Sequence, residues 1–282
     1  MKKVIITIFL LLEVFIFFSN KTLLIEERNT INICLYSYLP SMFFSVFISN
    51  YLYLNNFYEF LKPIFNLNKK EIGIILLSIM SGYPNNVRLL NDSKNEYLLY
   101  STNFINPIFF IMTFNNNYLK NNRLCFIILI SHYLSNLIIF LIYKSKYNYN
   151  DFSIKNESNI YNKSLMITIK TLSIIFSNLL FITLLITLLK LIIHNTILKA
   201  FLMGIIEFSN GMIYLSKLSI IPFIKGLLIL IIITFGSISM IMQSIALNDK
   251  IKSTKFLLNK ILNTLISIII YLIINVIIQV MN

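Results

Sequence analysis

Apolar runs recur from one end of this chain to the other, at about 4–19, 31–54, 72–83, 97–114, 124–143, 164–193, 197–215, 222–247 and 256–281. Several reach the roughly 20 residues that a helix needs to cross a bilayer. In hydrocarbon every backbone N–H and C=O must be satisfied within the structure, which leaves helices or closed barrels. The alternating strands of about ten residues that build a barrel are not present. The expected fold is therefore all-α, a polytopic transmembrane helical bundle of about eight spans. Charged residues make up 12% of the chain, against about 25% in soluble domains, and the mean hydropathy is +0.78. No stretch has room for a sizeable soluble domain, and the longest polar one, residues 144–163, reads as a loop.

The formal net charge of +13 raises the question of nucleic acid. The Lys and Arg residues lie in the short connections between apolar runs, as cytoplasmic loops of membrane proteins require. No basic cluster has the density of a nucleic-acid or lipid-headgroup patch. The expected partners are the lipid bilayer and a small solute, with no nucleic acid; a homo-oligomer is compatible with the sequence. Cys34 and Cys125 lie in or beside apolar runs without CxxC spacing, so neither metal nor redox chemistry is indicated. Met1-Lys2-Lys3 and the apolar residues after them resemble a signal peptide, but no small-residue cleavage site follows. The segment reads as a retained first helix.

Within this apolar chain one polar break stands out, Ser81-Gly82-Tyr83-Pro84-Asn85-Asn86-Val87-Arg88. It follows only about a dozen apolar residues, about half a crossing. Pro has no N–H and disfavours helix at the residue before it, so the chain is expected to open at Tyr83 and to restart at or after Pro84. Such a restart directs free N–H groups and a positive dipole end into the gap. Asn85 and Asn86 add amides, and Arg88 adds a charge that can hold a carboxylate through two hydrogen bonds. A cytoplasmic loop with Arg88 in water or among headgroups is the other reading. A second break follows at Asn103, Asn106 and Pro107, where the amides line a gap facing Arg88 or merely cap a Pro kink.

The second half carries two more interruptions. Glu207-Phe208-Ser209-Asn210-Gly211 holds an acid inside an apolar run, and such an acid is a functional candidate by default. It either carries a coupling proton, balances Arg88, or pairs with Lys199 or Lys217. Phe235-Gly236-Ser237-Ile238-Ser239 leads to Gln243. Gly236 and Ser239 suit close helix packing, while the Gln243 amide must find a partner. Each half thus has two Gly- or Pro-marked breaks, the plan of transporters built from internal repeats with a midplane site. The expected organisation is an anchor helix over 1–30, a first half over 31–143, the loop over 144–163 and a second half over 164–282. Glycine-rich phosphate loops, GxSxG and HExxH motifs are not present, and His132 and His194 are isolated. The chain does not read as an enzyme, and no metal or cofactor is indicated.

Taken in order, these motifs resemble those of the YlbJ family of sporulation integral membrane proteins, which carry a nucleoside-recognition Gate-type domain. Ser81-Gly82-Tyr83-Pro84 with the base at Arg88 is similar to its SGYPxGAK motif. Asn103 with Asn106-Pro107 is similar to its Asn and Gly-Pro motif. Ile205 to Gly211 resembles LLExTNG, and Phe235 to Gln243 resembles fGGlSvhxQ. The resemblance covers roughly residues 35–275. The chain departs from the pattern at Asn86, Val87, Asn106 and Ser237, where the family has Gly, Ala, Gly and Gly, and at Arg88, where it has Lys. The resemblance implies a permease for dipicolinic acid, or a similar small organic anion, in the outer forespore membrane of a bacterium forming endospores. On that reading the substrate-binding residues are Gly82, Pro84, Asn85, Asn86, Arg88, Asn103, Asn106, Pro107, Glu207, Asn210, Gly211, Gly236, Ser237, Ser239 and Gln243. Other readings are a transporter of nucleosides or other organic solutes, and a non-transporting scaffold or assembly protein of sporulation.

Overall fold

The computed structural model describes residues 11–63, 67–90, 96–145, 159–248 and 251–281, save 13, 17 and 19. Among these residues the fold is helical, without strands. The elements in chain order are α1 (Asn20–Ile33), a π-helical segment (Cys34–Tyr38), α2 (Leu39–Leu54), α3 (Lys69–Ser81), α4 (Asn85–Leu89), α5 (Glu96–Ser101), a second π-helical segment (Phe109–Leu119), α6 (Asn122–Lys144), α7 (Ile160–Ile192), α8 (Thr196–Ile206), α9 (Phe208–Lys217), α10 (Pro222–Phe235), α11 (Ile238–Leu247) and α12 (Ser253–Met281). Five helical stretches are long and apolar enough to cross a membrane: Lys21–Leu54, Asn122–Lys144, Ile160–Ile192, Pro222–Leu247 and Ser253–Met281.

The side-chain distribution is that of a protein dissolved in lipid. On α12 the buried face carries Asn259, Lys260, Asn263, Thr264 and Ser267, while Leu258, Leu265, Ile269, Val276 and Val280 are exposed. A helix of a water-soluble protein turns its apolar stripe inward. Here the polar stripe turns inward, because hydrocarbon outside satisfies no hydrogen bond. α7 repeats the pattern, with Ser164, Thr168, Thr171, Thr183 and Thr187 buried and Met166, Ile169 and Leu191 exposed. This is an integral membrane protein.

Helix continues from α1 through the π segment into α2, across position 30. Glu26 in the polar stretch of α1 pairs with Lys190 of α7 at 2.7 Å, which lets that stretch remain helical. Of the expected loop over 144–163, positions 146–158 lie outside the described residues. Its two ends belong to α6 and α7.

The shorter helices are where the chain turns back inside the bundle. α8 and α9 fold onto each other across Glu207, and two glycines bring them together. A Cβ on Gly211 would stand 2.1 Å from the Gly204 Cα. A methyl group there forces the two arms apart. Gly211→Ala is expected to destabilise the protein by about 1–3 kcal/mol, measured as an earlier melt of the detergent-purified protein. A melt unchanged from wild type would show that the two arms are not in close contact.

Candidate functional site

The first break forms as the sequence predicts. α3 begins with a capping box in which Asn68 and Glu71 exchange hydrogen bonds, and it ends at Gly82. Gly82 has φ 71° and ψ 177°, a region that essentially only glycine occupies. Pro84 then precedes α4, after a cis Tyr83–Pro84 peptide bond. The second break leaves residues 102–106 non-helical between α5 and the helix that restarts at Pro107.

These two breaks cross, and each satisfies the other's backbone. Tyr83 N–H donates to the Phe104 carbonyl at 2.8 Å. The Asn106 amide donates to the Ser81 carbonyl at 3.1 Å, the Met80 carbonyl at 3.3 Å and the Ser45 hydroxyl at 2.7 Å. Its Oδ1 accepts Phe109 N–H at 3.0 Å. One side chain therefore closes the C-terminus of α3 and caps the helix restarting at Pro107. Asn before Pro suits both jobs, since Asn is a preferred N-cap and Pro a preferred first helical residue. The crossing is tight: a Cβ on Gly82 would lie 2.5 Å from the Asn106 nitrogen.

The rest of the 102–106 gap is accounted for by neighbours. Ile105 donates its N–H to His132 Nε2 at 3.0 Å, and its carbonyl accepts the Tyr133 hydroxyl at 2.9 Å. Because Nε2 accepts, the imidazole proton sits on Nδ1, which donates to Thr234 Oγ1 at 3.0 Å. Thr234 stands two residues before Gly236, so His132 ties the second break to the fourth. Asn103 donates to the Leu99 and Tyr100 carbonyls at 3.3 and 3.1 Å, and Asn86 donates to Asn103 at 3.4 Å and to Thr102 at 3.3 Å.

Glu207 makes the third break. Its side chain caps α9, accepting Ser209 N–H at 3.2 Å, the Ser209 hydroxyl at 2.5 Å and Asn210 N–H at 2.8 Å. It is 1% exposed, and these donors take the place of the base expected beside it. The fourth break joins α10 to α11 through Gly236 at φ 79° and Ser237 at φ 52° and ψ 159°. The family that this motif resembles has glycine at position 237. Ser237 holds the glycine-type conformation and its hydroxyl caps α11 through Met240 N–H at 3.3 Å.

The first and third breaks, with the helices that follow the second and fourth, border one small cavity. Its wall includes Tyr83 and Pro84 from the first, Phe109 just past the second, Glu207 and Phe208 from the third, and Met240 and Gln243 beyond the fourth. Tyr38 and Met42, with Ile175 and Leu179 of α7, complete it. Its volume is about 20 Å³, room for about one water. Tyr38 meets Phe109 edge-on with ring centroids 5.0 Å apart, and Phe109 meets Phe208 at 6.0 Å. The Tyr83 hydroxyl donates to the Met240 carbonyl at 3.0 Å and accepts from Ser244 at 2.5 Å. Gln243 donates to Ser239 at 3.1 Å.

Of the residues that the sequence singled out, Pro84, Glu207 and Gln243 line the cavity. Gly82, Asn103, Asn106, Pro107, Asn210, Gly211, Gly236, Ser237 and Ser239 shape the breaks around it. Asn85 and Asn86 are buried. Both polar atoms of the Asn85 amide, and Asn86 Oδ1, have no hydrogen-bond partner. Two expectations are not met. The N–H groups of Asn86 and Val87 are turned into local contacts with the Gly82 and Pro84 carbonyls, at 3.4 and 3.2 Å, rather than left free for an anion. Arg88 is half-buried and places Nη1 3.5 Å from Asn50 Oδ1 instead of lining the cavity.

Sequence reasoning gave Tyr38, Phe109 and Lys260 no role and set His132 aside as isolated. The π-helical segments that hold Tyr38 and Phe109 leave no sequence mark of their own. Lys260 did leave one, being a cation inside an apolar run. Gly82→Ala puts a side chain both against Asn106 and into a forbidden backbone region. Its folded yield in membranes is expected to fall severalfold while total synthesis is unchanged. Equal folded yields would show that the breaks do not cross as described. Comparison with protein-family models, curated proteins and solved structures found no match to this chain.

Proposed function

We propose that this protein is a permease for a small organic anion, and that the solute passes where the four helix breaks meet. The observation that carries this reading is one small cavity bordered by broken segments from both halves of the chain and walled by aromatic rings, an acid and an amide. Non-helical backbone at membrane depth is tolerated where protein or a water-filled cavity covers it, and transport sites are commonly built from such broken helices. A scaffold has no need of four polar breaks brought to one point. Five long helices with the broken segments 69–89, 96–119 and 196–217 make eight membrane-inserted pieces, and two breaks per half fit a duplicated plan. The cavity holds about one water, so solute enters only when the broken arms separate.

The family resemblance of the four motifs favours dipicolinate as the solute and the outer forespore membrane as the place. Dipicolinate is flat and aromatic, which suits the Tyr38, Tyr83, Phe109 and Phe208 rings. Glu207 stands in the same wall and repels an anion while ionised, so it serves as the site of a coupled proton. The same acid also favours a second reading, a nucleoside whose N–H and O–H groups donate to Glu207 and Gln243.

Purified protein in liposomes is the test. Uptake of radiolabelled dipicolinate is expected with wild type. Uptake of nucleosides but not dipicolinate favours the second reading. No uptake of either by folded protein contradicts the permease.

A further inference from the structure

Three carboxylate or ammonium side chains are fully buried among the described residues: Glu71, Glu207 and Lys260. Two of them have their charge answered. Glu71 accepts Asn68 N–H at 2.9 Å and the Tyr97 hydroxyl, and pairs with Lys144 at 3.3 Å. Glu207 is saturated by the first turn of α9. Lys260 is 1% exposed, and no carboxylate or hydrogen-bond acceptor meets it among the described residues. Its Nζ lies 4.2 Å above the centre of the Tyr83 ring and 5.5 Å from that of Phe256. Aromatic faces attract a cation, but they offset only part of the cost of removing an ammonium from water. A lysine near a helix end ordinarily stretches its amine to the membrane surface. Lys260, two turns into α12, turns it inward.

The position connects this amine to the cavity. Tyr83, whose ring carries the ammonium, is itself a wall of the cavity. Gly236 lies on the other side, where an added Cβ would come within 3.0 Å of Nζ. The amine therefore stands between the first and fourth breaks. We propose that Lys260 is the counter-charge for the transported solute: movement of Tyr83 opens the ammonium to the cavity, where it pairs with a carboxylate of the anion. This rests on the permease reading above and names a binding residue for it.

The test is dipicolinate-dependent thermal stabilisation of the full-length protein in detergent, with liposome uptake beside it. Lys260→Met replaces a buried unpaired charge by an apolar chain of similar length, a change that often leaves stability equal or higher. It is expected to melt no lower than wild type without solute, and to weaken dipicolinate binding about tenfold or more. Lys260→Gln, which keeps a donor but no charge, is expected to lose the solute shift as well, and Lys260→Arg to keep most of it. The three variants separate charge from packing, even where one of them fails to accumulate. A wild-type shift in Lys260→Met or Lys260→Gln overturns the role of Lys260 and leaves the permease standing. Loss of the shift in Lys260→Arg together with a much lower melt of all three assigns Lys260 to packing and overturns it too. Absence of both shift and uptake in wild type overturns the permease and this inference together.

Discussion

The crossing of the first two breaks, closed by the Asn106 amide, is the contact on which the rest of the interior depends. A helix that ends inside a bilayer leaves up to four carbonyls without partners, and each costs several kcal/mol in hydrocarbon. Asn106 answers carbonyls at the end of α3 and an N–H of the next helix with one side chain. Gly82 permits the approach by having no side chain. With that contact made, His132 and Tyr133 complete Ile105, and Thr234 carries the connection to the second half. The cavity exists because these paired breaks hold the Tyr83, Phe109, Glu207 and Met240 segments around one point.

The same economy explains the chemistry of the wall. The polar groups most expected to meet a solute are largely occupied in holding the breaks shut. Glu207 caps α9, Ser237 caps α11, and Gln243 is bonded to Ser239. On the permease reading, a solute must exchange these contacts for its own, which couples its binding to opening of the breaks. Lys260 and the Asn85 amide have no such duties, and both lie outside the wall of the cavity, Lys260 against the ring of Tyr83.

Much of the fold was legible in the chain. Long apolar runs require helices, and Gly82-Tyr83-Pro84 and Asn106-Pro107 mark breaks because glycine and proline each impose a specific backbone. The Asn-Pro pair even signals its own capping. What was not legible is long-range. Nothing local in Asn106 says that it reaches Ser81, and nothing in Arg88 says that it turns to Asn50, because those outcomes depend on how helices far apart in sequence cross. The π-helical segments were hidden for the same reason, since packing rather than propensity selects them. Lys260 was legible as a buried-charge signal. Its place near the start of an apolar run gave it the look of a residue reaching for the membrane surface, and only its burial on Tyr83 shows otherwise.

A cysteine at position 243 most directly tests whether solute travels through the junction of breaks. Cys34 and Cys125 are buried and can be replaced by alanine to leave Gln243→Cys as the only thiol. The rate of its alkylation by a membrane-impermeant maleimide should then be followed from each face of sealed vesicles, with and without dipicolinate. Alkylation from both faces, slowed by the solute, is the expected result, because the closed cavity admits no reagent and only an opening junction exposes this position. A thiol that stays unreactive from both faces in uptake-competent protein would contradict a path through the junction.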